Sequence, residues 1–328
     1  MKAILYDEPG DESRLYLGTL PDPVCGPTQV RLHVAATALN RADLLQREGR
    51  YPVPAGANPI LGLEVAGTII EVGERVEGYE VGDNVCALVN GGGYAQQICV
   101  DQLMLLKLPE VLSFTKAAAL PEVFITAYQA LHWIAKVGRD ETVLIHAGAS
   151  GVGTAAIQLV NLIGGHAIAT ASEHKHRALL DLGAERCIDY RAEDFDEAVL
   201  DQTGGRGANV VLDFVGGPYL ERNFKCMAMD GRMVCLAALG GARVQNFSMA
   251  PILRKRLQIM GTTLRSRGND YRRRLVADFR RDIWPAFADR RLLPVVDTIY
   301  DWEDVAAAHR YMASNQNVGK IVMTIGLD

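Results

Sequence analysis

No C-x-x-C pair occurs among the six cysteines, Cys25, Cys86, Cys99, Cys187, Cys226 and Cys235. Their wide spacing offers neither a structural zinc cluster nor a disulfide framework, so buried thiols in a reducing, cytoplasmic setting are the expectation. An excess of positive charge is also missing. Lys and Arg number 34 against 39 Asp and Glu, a net charge of −5, so no whole-molecule field would gather nucleic acid or anionic lipid. The opening MKAILYDEPGDE holds only a four-residue apolar run, too short for the core of an export signal. Low-complexity tracts are absent, and 49% apolar with 22% charged residues excludes disorder. The 328 residues suffice for two domains, each with its own core.

Charge is absent altogether from Val143 to Ser172, thirty residues that imitate a membrane span. Five glycines, Gly148, Gly151, Gly153, Gly164 and Gly165, cut this stretch into a β-rich run, a helix-length segment and another short run. A buried strand, helix, strand unit accounts for it, and no membrane association is expected.

What is present divides into three textures. From Met1 to about Pro121 the chain is β-like. Val30, Leu32, Val34 and Ala36 alternate with Arg31 and His33, and Gly62, Gly67, Gly73, Gly78 and Gly82 punctuate short Val- and Ile-rich runs. That pattern predicts a compact, irregular β-barrel. From about Glu122 strands alternate with helices: helix 125–136, strand 142–146, helix 152–163, strand 166–170, helix 175–182, strand 186–190, helix 194–202, strand 209–214, helix 219–229 and strand 232–237. This alternation predicts a doubly wound parallel sheet. The remainder is mixed, with an Arg-rich helix over about 271–287, a helix near 305–313 and a strand over 320–325 that would rejoin the first domain. The expected α/β organisation is thus a barrel domain of residues 1–121 and 265–328 and a dinucleotide-binding domain of residues 122–264.

VLIHAGASGVGTAAIQL is an apolar strand, a glycine turn and a helix. In the G-x-G-x-x-G template Gly148 takes the first place, Ser150 replaces the second glycine, Gly151 follows and Gly153 takes the third. The amides at Gly151 and Val152 open the helix and can receive a pyrophosphate. Val152, Ala156, Leu159 and Ile163 form one apolar face for the sheet. The next strand, HAIAT, ends in Thr170, Ala171 and Ser172, without the acid that an NAD-binding fold places on the ribose hydroxyls. His174, Lys175, His176 and Arg177 follow, putting positive charge at a helix start, where a bound anion would offset the macrodipole. Glu173 opposes such an anion, and a solvated first turn is the plainer reading.

The chain resembles the medium-chain dehydrogenase/reductase superfamily, in its zinc-free quinone oxidoreductase branch. ALNRADLLQREGRY, ILGLEVAGTIIEVG, ALPEVFITAYQALH, VLIHAGASGVGTAAIQL, LRSR, RLLPVVD and NVGKIV carry the resemblance, which covers nearly the entire chain. It implies a GroES-like β-barrel catalytic domain and a doubly wound Rossmann domain. Zinc members need Cys, His or carboxylate ligands, yet Leu63 and Asn40 stand where a His and a Cys would be, so no metal is expected. By the resemblance Asn40, Asp43 and Tyr51 lie beside the nicotinamide and substrate, Thr126 lies near the carboxamide, and Lys175 with Tyr190 holds the 2′-phosphate of NADPH. Each has a plainer alternative: Asn40 and Asp43 as helix caps, Tyr51 as a packed loop aromatic.

Without a metal, a hydride acceptor can be stabilised by hydrogen-bond donors such as Tyr51 and Asn40. Electrophilic acceptors are then favoured, and the expected activity is NADPH-dependent reduction of quinones. Reduction of 2-enals or enones is the second expectation. A third, from another class, is RNA binding through Arg254 to Arg281, which holds ten Lys or Arg against two acids. The missing aromatic interleaving disfavours a nucleic-acid partner there. The resemblance also implies a homodimer, expected to join near 232–239 and 257–264, where an apolar edge strand left bare would invite aggregation.

Overall fold

A computed structural model describes residues 1–245 and 247–326. The chain divides into two compact units, Met1–Ile125 with Arg265–Asp328, and Thr126–Leu264. In chain order the strands are β1 (Lys2–Leu5), β2 (Tyr16–Thr19), β3 (Gln29–Ala38), β4 (Glu64–Val72), β5 (Asn84–Leu88), β6 (Gln97–Asp101) and β7 (Leu105–Lys107). The second unit contributes β8 (Thr142–Ile145), β9 (His166–Thr170), β10 (Arg186–Ile188), β11 (Ala208–Asp213), β12 (Met227–Cys235) and β13 (Gln258–Gly261). The chain then returns to the first unit with β14 (Val296–Asp301) and β15 (Lys320–Thr324).

The first unit is built on a seven-stranded sheet in the order β14-β15-β3-β4-β5-β7, with β6 also paired to β3. Its long central strand β3 shows the expected alternation. Val30, Leu32 and Val34 are buried and His33 is exposed, but from Ala35 onward every residue is buried because both faces are covered. β15 lies antiparallel to β3, with Val322 opposite Ala38, so a strand close to residue 320 completes a sheet begun near residue 30.

The second unit is a six-stranded sheet in the order β10-β9-β8-β11-β12-β13, every pair parallel. The order reverses between β8 and β11, the switch point at whose carboxyl ends such sheets take ligands. Leu144, Ile168, Val211, Phe195, Phe224 and Met233 form a buried cluster among strands and helices.

Several elements depart from the sequence reading, each for a physical reason. The helix expected from Ile125 begins at Pro121, whose fixed φ suits a first helical turn. It runs into a π-helical turn, Gln129–Ile134, where the Ala135 amide bonds the Ala130 carbonyl. The Arg-rich helix ends at Asp282 and restarts as Pro285–Ala288, because proline lacks the amide a continuous helix needs. The helix Gly151–Ile163 is not one-faced, since Gly153 to Val160 are all buried. β10 stops at Ile188, which leaves Tyr190 in a half-exposed loop. Finally β12 is no edge: it pairs with β11 and β13, and Arg232 at its centre is engaged bidentately by Glu141 at 2.7 Å. The open edge is β13, on which Gln258 and Ile259 are exposed.

Among the described residues no helix is long and apolar enough to cross a membrane. The basic stretch 254–281 is largely occupied within its own units. Arg256 pairs with Asp230, Lys255 donates to the carbonyls of Phe224, Lys225 and Met227, Arg273 pairs with Asp101, and Arg281 with Asp278 and Asp282.

Candidate functional site

In the second unit the glycine turn follows β8 directly. Ala147 adopts a left-handed φ of 48°, which reverses the strand into the helix. A Cβ on Gly148 would lie 2.7 Å from the Ala169 Cβ, and one on Gly153 would lie 2.5 Å from the carbonyl oxygens of Ala147 and Gly148. Only glycine lets the helix approach the turn this closely. Ser150 Oγ accepts from the Gly153 amide at 3.0 Å, so the serine caps the helix. The amides of Gly151 and Val152 precede any intrahelical acceptor and point out of the helix start.

Lys175 and Tyr190 follow the carboxyl ends of β9 and β10, the two strands that lie in turn on one side of β8. Lys175 is buried, and the Arg191 guanidinium lies 5.5 Å over the Tyr190 ring. Thr126, at the start of this unit, has a buried Oγ1 with no hydrogen-bond partner among the described residues. The glycine cradle, the unspent helix amides and the orphaned Thr126 hydroxyl fit a dinucleotide. His146 holds the turn from below. Burial lowers its pKa to about 4, so the neutral ring bonds Thr170 Oγ1 and Asn223 Oδ1 at 3.1 and 2.7 Å.

The first unit carries a buried polar locus. Asn40 precedes the helix Arg41–Arg47, and Asp43 at the third helical position accepts the Asn40 amide at 2.8 Å and the Gly62 amide at 3.0 Å. Burial raises the Asp43 pKa to about 6, against these bonds. The Asn40 side chain is spent internally. Its Nδ2 donates to Ala38 O and to Glu64 Oε1, and its Oδ1 accepts from Lys320 Nζ at 2.7 Å. Lys320 pairs with Glu64 at 2.8 Å, both almost wholly buried, and the other Glu64 oxygen accepts the Glu122 amide at 2.9 Å.

Burial, with Glu64 nearby, pushes the Glu122 carboxyl up to about 8. Tyr51 sits in the field of Glu122, Arg265 and Asp43; burial raises its pKa, and its hydroxyl has no hydrogen-bond partner among the described residues. The Arg265 guanidinium lies 5.4 Å from the Tyr51 ring centroid. Asn40, Asp43 and Tyr51 therefore do gather in one locus, with Tyr51 holding the free donor. Sequence reasoning missed Glu64, Glu122, Arg265 and Lys320. Their signal was a charge within an apolar run, as in LGLEVAG and GKIVMTI.

A parallel sheet with a dinucleotide-type turn, joined in one chain to a β-sheet unit with a buried polar locus, defines a dehydrogenase-type oxidoreductase. The family model of the alcohol dehydrogenase GroES-like domain matches residues 26–110, and that of the zinc-binding dehydrogenase matches residues 151–280. The chain belongs to the medium-chain dehydrogenase/reductase superfamily, in its zinc-free, quinone oxidoreductase-like branch. Among the described residues no group of three or more His, Cys, Asp and Glu could hold a metal ion.

The solved structures most like it include an NAD-dependent alcohol dehydrogenase, 30% identical, covering 99% of this chain and 100% of the other, with a TM-score of 0.89. CurK enoyl reductase is 28% identical over 98% of both chains, with a TM-score of 0.87. A quinone oxidoreductase from Coxiella burnetii is 30% identical over 99% of both, with a TM-score of 0.83. A curated relative, the phenolphthiocerol synthesis polyketide synthase type I Pks15/1 of Mycobacterium marinum, is 34% identical over 98% of this chain. This chain spans only 16% of that relative's length.

Proposed function

We propose that this chain is an NADPH-dependent reductase of electrophilic carbonyl compounds, with quinones as its acceptors. The observation that carries the reading is the unpartnered Tyr51 hydroxyl, a proton donor in a locus built from hydrogen-bonding side chains. A bound nicotinamide cofactor supplies a hydride. Tyr51 gives a proton to the acceptor oxygen. Asp43, tied to two backbone amides, fixes the start of the helix that leads to Tyr51, and Asn40 holds the Glu64–Lys320 pair in register. Gly148, Ser150, Gly151, Val152 and Gly153 cradle the pyrophosphate, Thr126 offers its hydroxyl to the carboxamide, and Lys175 with Tyr190 takes the 2′-phosphate.

The second reading, reduction of enals, enones or enoyl thioesters, is favoured by the likeness to CurK enoyl reductase and to the polyketide synthase. It needs the same residues in the same roles. We further propose a cytoplasmic homodimer formed through the open β13 edge.

The test is a panel of quinones, 2-enals and enoyl thioesters with NADPH and NADH, in the wild type and in Lys175→Ala. Quinones with NADPH should give the highest kcat/KM. Loss of charge-assisted contacts worth roughly 1.5 to 3 kcal/mol should erase about ten- to hundredfold of cofactor preference in the variant. Faster turnover of an enoyl thioester selects the second reading. No turnover of any acceptor defeats both, and equal use of the two cofactors removes NADPH.

A further inference from the structure

Arg265 is a buried cation whose terminal nitrogens have no hydrogen-bond partner among the described residues. Its side chain is 7% exposed, and its Nε donates to Asn90 Oδ1 at 3.3 Å. Both terminal nitrogens, Nη1 and Nη2, are buried without a hydrogen-bond partner among the described residues. A guanidinium is always charged and carries five N–H donors, so burying it with its fork unpaired is among the costliest arrangements a side chain can adopt.

The neighbouring acids Asp43 and Glu122 act on it through charge alone, without a hydrogen bond. Asp43 is committed to the amides of Asn40 and Gly62, and Glu64 to Lys320 and Asn40. Glu122, pushed up to about 8, holds its proton at neutral pH. The Tyr51 ring lies beside the guanidinium, and its hydroxyl is unpartnered as well. Two forked N–H groups and a phenol are therefore available in one locus, an arrangement suited to an oxygen that carries or acquires negative charge.

We propose that Arg265 binds the carbonyl oxygen of the acceptor and holds the negative charge that reduction places on it. This rests on the reductase reading above and deepens it, because it names the side chain that holds the oxygen of the conjugated carbonyls proposed there, whose reduced form is an enolate or phenolate. The hydride, given by the reduced nicotinamide as it is oxidised, forms a C–H bond at the far carbon of the conjugated system. The C=C electron pair shifts to the adjacent bond, and the C=O π pair comes to rest on oxygen. A proton from Tyr51, restored from water, completes the enol; from a quinone this product is the keto tautomer of the hydroquinone, and loss of the proton on the newly saturated carbon to water, with protonation of the second carbonyl oxygen, gives the hydroquinone.

The same donors could instead hold an oxygen of the cofactor, so the experiment separates the two. 4-Nitrophenol, whose phenolate is read by its absorbance, is titrated with pH on the NADP⁺-loaded wild type and Arg265→Met, and NADPH affinity is measured by fluorescence. The wild type should prefer phenolate at least about tenfold, a fall of about one unit in the bound phenol pKa. Arg265→Met should lose that preference, retain NADPH affinity within about twofold, and lower kcat on a conjugated ketone by about 10²-fold or more. Its Tm should rise, since an unpaired buried charge is gone; a merely structural arginine would lower it.

Phenolate preference unchanged in Arg265→Met overturns the proposal, and so does a large loss of NADPH affinity with that preference intact. Phenolate preference without turnover of any acceptor defeats the reductase reading and leaves the anion site standing. Full turnover in Arg265→Met does the reverse. If the methionine variant fails to fold, Arg265→Ala with added guanidinium chloride at millimolar concentration should regain kcat; absence of rescue in folded protein also overturns it.

Discussion

Replacing Lys320 by methionine removes the cation from the buried pair while keeping the length of its stem. In the native chain Lys320 Nζ meets Glu64 Oε1 at 2.8 Å, Asn40 Oδ1 at 2.7 Å and the Leu39 carbonyl, with 3% of Lys320 and none of Glu64 exposed. At that separation an effective dielectric of about 20 gives roughly 6 kcal/mol of attraction, an upper limit before desolvation is counted. Lys320→Met leaves a carboxylate in a dry locus with the Asn40 amide and the Glu122 N–H as its donors. The expected loss is about 3 to 5 kcal/mol, a fifth or more of a typical domain's stability of about 5 to 15. Glu64→Gln with Lys320→Met removes both charges and should cost less than the two single changes added, by about 2 kcal/mol or more. Urea unfolding of all four proteins, followed by the fluorescence of the tryptophans, gives the cycle. A single variant within 1 kcal/mol of wild type, or strict additivity in the double, would refute the reasoning.

Two further outcomes follow from the same geometry. The Glu122 carboxyl titrates near 8 in the folded chain against 4.5 in water, so between those values the folded state holds a proton that the unfolded state lacks. Stability from this group therefore falls as pH rises through that window. Glu122→Gln, a mimic of the protonated form, should have a Tm advantage over wild type that grows from pH 5 to pH 8; an advantage independent of pH would show that ionisation is not its source. At the open sheet edge, Ile259→Lys should convert the proposed dimer to monomer. Light scattering should give twice the chain mass of 35.7 kDa for wild type and the single mass for the variant; a monomeric wild type rejects the edge as an interface.

The parallel sheet was legible because its signals are local. A charge-free run cut by glycines can be read without knowing what lies opposite, and β8, the helix Gly151–Ile163 and β9 fall within a residue or so of their expected bounds. Tertiary context decided the rest. The helix after β8 looked one-faced by periodicity but is buried all round, because burial depends on what covers each side and periodicity only on what tolerates it. The barrel locus was half visible: Asn40, Asp43 and Tyr51 were marked, whereas their neighbours Glu64, Glu122, Arg265 and Lys320 come from four other segments. No local pattern shows that Glu64 and Lys320 neutralise one another. The Asn40 amide, expected as a free donor, is occupied by this pair for the same reason.

The Lys320–Asn40 bond links positions 280 residues apart, and this bears on how the protein is made. At ribosomal speeds of about 5 to 20 residues per second, Asn40 and Glu64 emerge roughly 15 to 60 seconds before the lysine that neutralises the acid. Residues 126–264 form a contiguous unit and can fold on the nascent chain in that interval. The earlier segment waits with β3 unpaired along the stretch that β15 will cover. An unneutralised carboxylate resists burial, so a half-made sheet should keep Glu64 in water. Closure of this locus should therefore follow the synthesis of β15, which brings the lysine that pairs with Glu64.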